Sequence, residues 1–339
     1  VAEKDIKKVL ITGSAGFLGA NLERELTSLG YEVVGVDNLS WGNQNNILKS
    51  TKFYHADCRN KQRMDNIFYM ERPDIVFHFS ADATESRSQF TPVSATENNL
   101  QSAVNVFTSA IKYKIKRIIF TSSIAVYGDQ VPPFTEDMNP KPIDIYAVNK
   151  RASEEVLKIL GDVHDMEYVI FRPYNIIGEL QNLSDPYRNV AGIFMNRIMQ
   201  GKAPLIYGDG TQVRAFSYIK NILPCFVKAM TDEVSGETFN IGPERPVTVN
   251  ELSKIVLKAM NSDLVPEHIE ERPHEVKMAY CNTKKAREIL GYEDKYTLEE
   301  GIERMAKWAK EQGPQEFIYL DKLELPNKKA PEVWTNKKI

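Results

Sequence analysis

The sequence predicts an α/β protein built on a doubly wound parallel sheet, and three observations predict it. A glycine-rich turn, Gly13-Ser14-Ala15-Gly16-Phe17-Leu18-Gly19, stands between a short apolar run, Lys8 to Thr12, and a helical stretch, Ala20 to Leu29, in which Leu22 and Leu26 are four apart. Short apolar, largely β-branched runs then recur along the first half of the chain with helix-length segments between them. An acid, Asp37, closes the second of these runs, about 20 residues beyond the turn, which is the spacing of a dinucleotide-binding unit.

Each element follows in order. The strands are expected at Lys8 to Thr12, Glu32 to Val36, Lys52 to His55, Ile75 to Phe79 and Arg117 to Thr121, and helices at Lys61 to Met70 and Val93 to Tyr113. In such a sheet, ligands bind at the carboxyl ends of the strands. Gly13, Gly16 and Gly19 let the backbone turn tightly and approach a pyrophosphate, while the helix N-terminus offers unpaired N–H groups to the anion. Gly19 lets the helix lie close on the strand. A carboxylate at Asp37 accepts from ribose hydroxyls and repels a 2′-phosphate, and Asn38-Leu39-Ser40 supplies no arginine to receive one, so NAD is expected rather than NADP. Asp57, after the third strand, either pairs with the adenine amino group or caps a surface helix.

The fifth strand leads into Ser122-Ser123, and a loop with Pro132, Pro133, Pro140 and Pro142 delivers Tyr146-Ala147-Val148-Asn149-Lys150. On a helix Tyr146 and Lys150 share a face, and an ammonium beside a phenol favours the phenolate. A free tyrosine titrates near pH 10, so service as a base near neutrality needs about 4 kcal/mol of differential stabilisation. Lys150 and a bound nicotinamide cation are the expected sources.

Composition narrows the field. The chain has 339 residues, 42% hydrophobic and 26% charged, with a net charge of -3, which gives no sign of a polyanion partner. The lysines at 328, 329, 337 and 338 read as a solvated tail. The three cysteines, Cys58, Cys225 and Cys281, have no metal-ligand spacing and fit a reducing compartment. Val1 to Asp5 is polar, unlike a signal peptide, and no apolar run reaches transmembrane length. The expectation is a cytoplasmic protein that binds neither membrane nor nucleic acid.

With these residues in place, the sequence resembles the extended short-chain dehydrogenase/reductase family, in particular its nucleotide-sugar epimerases and dehydratases. The resemblance runs from about Lys8 to about Lys310. It implies a Rossmann-type fold with a smaller α/β substrate-binding lobe, and the catalytic set Ser123, Tyr146 and Lys150. It implies cofactor contacts at Gly13, Gly16, Phe17, Leu18, Gly19, Asp37, Asn38, Asp57, Cys58, Phe79, Ser80, Ala81, Asn99, Tyr146, Lys150 and Tyr174. His78 to Pro92 followed by Asn98-Asn99 resembles the family's His-Leu-Ala-Ala segment with its proline and asparagine. Arg172-Pro173-Tyr174-Asn175-Ile176-Ile177-Gly178 resembles Arg-x-x-Asn-Val-Tyr-Gly, whose Asn faces the sugar diphosphate. Arg188-Asn189-Val190 resembles the short signature near the phosphates, and Gly208 to Ile219 resembles Gly-Asp-Gly-x-Gln-x-Arg-Asp-Phe-x-Tyr-Val. Substrate contacts are thereby implied at Ser123, Tyr146, Asn175, Asn189, Val190, Arg214, Arg272 and Ala279, with the two guanidiniums suited to a diphosphate. Ala215, Asn221 and Asn282 stand where the family has acids, and His274-Glu275 replaces Gly-Asp, departures that bear on substrate identity and lobe packing. Glu85 and Arg87 are also unusual: they touch substrate or are surface charges.

The resemblance implies oxidation at C4 of the sugar to a transient 4-keto intermediate, and the residues after Ser123 bear on its fate. Dehydratases and decarboxylases of the family keep an acid there and the GDP-mannose 3,5-epimerases a Cys, whereas this chain has Ile124-Ala125, which carry no proton. Expected is therefore 4-epimerisation of a UDP-hexose. Ala279, where some 4-epimerases carry a bulky Tyr, leans the substrate toward UDP-N-acetylglucosamine/UDP-N-acetylgalactosamine. Alternatives are UDP-glucuronate 4-epimerisation, CDP-sugar 2-epimerisation, 4,6-dehydration, net reduction by NAD(P)H, or a non-catalytic NAD-binding scaffold or sensor. The expected organisation is an NAD-binding domain from 1–173 and 215–244, with about seven parallel strands, a nucleotide-sugar lobe from 174–214 and 245–320, and a tail, 321–339, that packs on a neighbour or lies loose. Helices are expected at Val227 to Met230 and Leu252 to Met260, and a homodimer is implied by the resemblance.

Overall fold

The structure is a computed structural model that describes residues 6–231, 234–272 and 275–339. Its main sheet is wholly parallel and has seven strands in the order β10-β6-β5-β4-β1-β2-β3. These are β1 (Lys8–Thr12), β2 (Glu32–Asp37), β3 (Lys52–His55), β4 (Ile75–His78), β5 (Arg117–Thr121), β6 (Glu167–Pro173) and β10 (Glu237–Ile241). They are short and almost entirely buried at the centre, as strands covered on both faces must be. One apolar cluster, with Val9, Ile11, Phe77, Phe171 and Phe226, fills one face. Another, with Leu10, Val34, Phe68, Phe107 and Phe120, fills the other. Strand order reverses between β1 and β4, and the crevice beyond their carboxyl ends is where such sheets bind ligands.

The helices α1 (Phe17–Ser28), α2 (Lys61–Glu71), α3 (Glu85–Ser88), α4 (Pro92–Thr96), α5 (Ser102–Lys112), α6 (Ile145–His164) and α8 (Ile219–Lys228) pack on or beside this sheet. The long helix expected over 93–113 is two helices, α4 and α5, joined through a π-helical turn at Glu97–Gln101. The helix expected at Val227 to Met230 is only the end of α8, which starts at Ile219 and carries Pro224 inside, leaving Ala229 and Met230 beyond its end.

The second layer group holds β7 (Asn175–Ile177), β9 (Val213–Tyr218), β11 (Pro246–Thr248) and β13 (Met278–Ala279) in one sheet, and β8 (Leu205–Tyr207) with β12 (Glu267–Ile269) in another. Over them pack α7 (Val190–Met199), α9 (Val249–Met260) and α10 (Leu298–Gln312) around Phe194, Met195, Leu252, Ile302 and Met305. Thr248 with Glu251 and Thr297 with Glu300 form capping boxes that start α9 and α10. The residues that depart from the family pattern still serve these joints. Asn221 exchanges two hydrogen bonds with the Tyr296 backbone, at 2.8 and 3.0 Å. Asn282 accepts from the Lys284 N–H at 2.8 Å, just where the next helical turn begins.

The tail, with α11 (Glu332–Thr335), lies on its own chain and joins both halves. Ile318 N–H donates to Ser184 O at 2.9 Å. The Glu324 carboxylate accepts from the Val93 and Ser94 N–H groups that open α4, both at 2.8 Å. Trp334 is buried edge-on against Tyr187, at 5.4 Å between centroids.

Candidate active site

A cavity of about 640 Å³ runs from the carboxyl ends of β1, β4 and β5 to the facing surface of the lobe. The glycine turn forms one end. Gly13 has φ of +71°, and a Cβ there would sit 2.8 Å from Ser80 N, so β1 and the segment after β4 touch only because no side chain intervenes. A Cβ on Gly19 would overlap the Gly13 carbonyl and lie 2.7 Å from Ser14 Cα, so α1 rests directly on the turn. Asp37 ends β2 beside it. Its carboxylate accepts from Ala15 N–H at 3.0 Å and Leu39 N–H at 2.7 Å, while burial raises its pKa against those bonds. Phe17, Leu18, Asn38, Phe79, Ser80 and Ala81 line the same end.

Three expected cofactor contacts do not reach the cavity wall: Asp57, Cys58 and Asn99. Arg59 and Asn38 engage the Asp57 carboxylate, and although burial opposes ionisation, those bonds hold it at about 2. Cys58 is buried, which pushes its thiol up to about 12. Asn99 turns inward on the π-helical turn and donates to Asp82 O at 3.1 Å and Ala95 O at 2.7 Å, so Asn98 takes its place on the wall.

Ser123, Tyr146 and Lys150 come together midway along the cavity. Asp144 caps α6, accepting from Ala147 N–H at 2.8 Å, and so fixes the face that Tyr146 and Lys150 share. The Tyr146 N–H donates to Ser88 Oγ at 3.1 Å, and Ser123 Oγ accepts from Ala125 N–H at 3.1 Å. Lys150 Nζ donates to Thr121 O at 2.8 Å and stands 5.8 Å from the centre of the Tyr146 ring. Burial pushes the Tyr146 phenol above its ordinary value, and the Glu85 charge adds to this, while a hydrogen bond with Ser123 opposes it. Burial also pushes Lys150 down to about 7, with Glu154 pulling the other way. Within the chain itself desolvation of both groups dominates, and the expected depression of the tyrosine rests on Lys150 together with a bound nicotinamide cation.

The lobe supplies the other end. Tyr174, Asn175, Asn189, Val190, Arg214, Arg272 and Ala279 all line it. The Tyr174 hydroxyl donates to Cys281 O at 2.8 Å, and Asn175 Nδ2 donates to Ala215 O at 3.2 Å. Asn189 adopts φ of +64° where α7 begins. Glu275 holds both guanidiniums, Arg214 at 3.0 Å and Arg272 at 2.7 Å, and Arg272 also lies over the Tyr207 ring at 4.6 Å. Pro273 and His274 of that signature lie outside the described residues.

The wall also contains groups not singled out as site residues, among them Trp41, Arg59, Asp144, Arg188, Tyr207 and Glu275. Arg188 stands inside the quoted Arg188-Asn189-Val190 signature and was legible there; it pairs with Asp185 at 2.7 Å. Both of the unusual pair line the cavity. Arg87 is buried, with Nη2 at 2.7 and 2.6 Å from the Asp82 oxygens and its guanidinium between the rings of Trp41 and Tyr187. Among the described residues no cluster of His, Cys, Asp and Glu is arranged to hold a metal, and no helix is long and apolar enough to cross a membrane.

Comparisons with known proteins follow the same lines. The sequence profile of the NAD dependent epimerase/dehydratase family matches residues 9–242. The crystal structure of UDP-glucose 4-epimerase from Thermotoga maritima with UDP-glucose is similar, with a TM-score of 0.87 and 31% identity over 90% of this chain and 99% of that one. The UDP-N-acetylglucosamine 4-epimerase from Methanobrevibacter ruminantium, in complex with UDP-N-acetylmuramic acid, has a TM-score of 0.84 and 29% identity over 90% of this chain and 99% of its own. The UDP-glucuronate 4-epimerase of Thermodesulfobacterium geofontis is 27% identical, covering 89% of this chain and 96% of its own length.

Proposed function

Because this chain belongs to the NAD dependent epimerase/dehydratase family, as an NAD-dependent extended short-chain dehydrogenase/reductase of the nucleotide-sugar epimerase type, we propose that it interconverts the C4 epimers of a UDP-hexose. The observation that carries this reading is one cavity wall. Ser123, Tyr146 and Lys150 face it together, and the next two residues on the same wall, Ile124 and Ala125, are apolar. The dehydratases and decarboxylases that the chain resembles keep their acid directly after the trio's serine, where Ile124 and Ala125 carry no proton.

The residues fit NAD: the glycine cradle leaves no room for a Cβ, and the Asp37 carboxylate stands at the cavity end. In this reading NAD supplies a reversible hydride acceptor for C4, and everything else is done by the chain. Tyr146 takes the proton of the C4 hydroxyl and returns it after the sugar turns over. Ser123 hydrogen-bonds the same oxygen. Lys150 holds the cofactor ribose and supplies positive charge beneath the tyrosine. Arg214 and Arg272 take the diphosphate from Glu275, a bidentate match that a guanidinium makes well. Residues 1–173 and 215–244 serve as the NAD-binding domain, and 174–214 with 245–320 as the nucleotide-sugar lobe.

For the sugar we favour UDP-N-acetylglucosamine/UDP-N-acetylgalactosamine. Ala279 lies on the wall at β13, in register with Arg214, and leaves room for a bulky C2 substituent. Ala279→Tyr tests this: turnover of the N-acetyl sugars falls by at least about tenfold while UDP-glucose turnover persists. Parallel losses for both sugars would contradict it. A homodimer belongs to the same proposal. Val148 and Ile159 on α6 are exposed at 49% and 60%, and light scattering of the purified protein decides between one chain and two.

A further inference from the structure

Glu85 is an acid that the trio does not use, and the structure holds it beside the reacting groups. It opens α3, a single turn. Ser88, at the end of that turn, is fully buried, and its hydroxyl donates to Glu85 O at 2.6 Å while accepting the Tyr146 N–H at 3.1 Å. One serine therefore ties the backbone of Glu85 to the backbone of the candidate base. Arg87 anchors the opposite side of the turn through Asp82 and the two rings around it. The Glu85 side chain is exposed to solvent and stands on the cavity wall with Ser123, Asp144, Tyr146, Arg214 and Arg272. Among the described residues no ion pair engages its carboxyl, because Glu275 already holds both guanidiniums.

We propose that Glu85 is a specificity-determining residue of the sugar subsite: its carboxylate accepts from hydroxyls of an uncharged pyranose and repels a hexuronate. The argument is one of place. In the reading of this cavity as a nucleotide-sugar epimerase site, on which the inference rests, the diphosphate lies at Arg214 and Arg272 and the reacting carbon at Tyr146. The pyranose lies between them, and Glu85 borders that space. A second anion brought against an unpaired carboxylate within the cavity is selected against by like-charge repulsion.

The charge on Glu85 is itself titratable. Solvent reaches the side chain, yet the cavity walls that crowd it and the neighbouring Asp144 push its carboxyl up to about 7, with Arg272 and Arg214 pulling it down. The groups facing it are Asp144, Tyr146, Arg214 and Arg272, and Lys150 further along the wall also titrates near 7. Rejection of a hexuronate is therefore half developed near pH 7, grows as the pH rises above it, and relaxes as the pH falls and the carboxyl takes a proton.

The test is calorimetric binding of UDP-glucose and UDP-glucuronate to the purified full-length protein with its bound cofactor, for wild type and Glu85→Gln, at about pH 8 and about pH 6. The wild type prefers UDP-glucose at pH 8, and this preference falls by at least about tenfold in Glu85→Gln. It also falls at pH 6 in the wild type, by more than in Glu85→Gln, whose residual pH dependence is that of Lys150. A ratio that is the same in both proteins at pH 8, or tighter binding of UDP-glucuronate by the wild type, overturns the assignment. The wild-type pH series stands alone if the variant does not fold: a ratio that stays flat or rises toward pH 6 overturns it too. Binding needs no turnover, so a protein that shows this selectivity yet epimerises neither sugar sinks the epimerase reading and leaves the role of Glu85 standing.

Discussion

Tyr146 is the residue on which the proposed chemistry turns. It is buried, its phenol is held above its ordinary pKa, and the ammonium that must oppose this is itself weakened by burial. Tyr146→Phe removes the proton carrier and nothing else of size. Epimerisation should fall by about 10²- to 10⁴-fold with NAD still bound, read by turnover and by cofactor absorbance on the same sample. Gly19→Ala should do the reverse. A methyl 2.7 Å from Ser14 Cα must displace the turn, so the protein is purified without NAD while Tyr146 stays in place. His78 contributes to acid sensitivity. It is sealed at the end of β4 against Thr12 Oγ1 at 2.8 Å, and burial pushes it down to about 3 from an ordinary 6.5. Between those values the unfolded chain binds a proton that the native protein refuses. Stability is therefore lost as pH falls through that window, by at most about 1.4 kcal/mol per pH unit. Urea unfolding at about pH 7 and about pH 5 should show that loss in the wild type and a shallower one in His78→Gln.

At the scale of elements, α6 is bound to the sheet by charge as well as by packing. Arg172 in β6 and Glu154 in α6 pair at 2.6 Å with almost no solvent access, and Arg172 also donates to the Tyr127 hydroxyl at 2.7 Å. Glu154→Ala strands a buried guanidinium and should cost about 3–5 kcal/mol in urea unfolding. Replacing both partners together should cost less than the single change. Five of the seven strands of the main sheet, β1 to β5, were legible almost residue by residue, whereas β6 and β10 were not located from the sequence. A buried parallel strand is a short apolar run, and its ends are set by the polar residues that must leave the sheet. Helix ends were less so. The start of α1 at Phe17 depends on the glycine turn around it, and α8 reads through Pro224, whose local cost of about 3 kcal/mol is offset by tertiary packing on the sheet. The inward rotation of Asn99 comes from a π-helical turn, which leaves no mark on a single sequence.

The whole molecule explains why part of the candidate site was hidden or left open between two readings. The glycine turn, Asp37 and the Tyr146–Lys150 pair are local patterns, so chemistry and spacing alone expose them. Glu85, Glu275 and Tyr207 reach the cavity from segments far apart in the chain, and only the assembled fold shows that they share a wall with Tyr146. The tail is a second long-range feature. Leu320 N–H donates to the Tyr187 hydroxyl at 3.0 Å, Glu324 caps α4, and Trp334 packs on Phe90 and Tyr187, so the segment ties the lobe to the sheet across the mouth of the cavity. Trp334→Ala should cost about 3–5 kcal/mol if the halves unfold together, and should raise KM for a nucleotide sugar more than it lowers kcat.

The most direct test of the central claim is to incubate the purified protein with UDP-N-acetylglucosamine and, separately, UDP-glucose, without added cofactor, and resolve the C4 epimers by NMR. The proposed function predicts that galacto epimers accumulate to equilibrium with no net reduction or loss of water. Absence of any epimer from both sugars, even with NAD supplied, would contradict it.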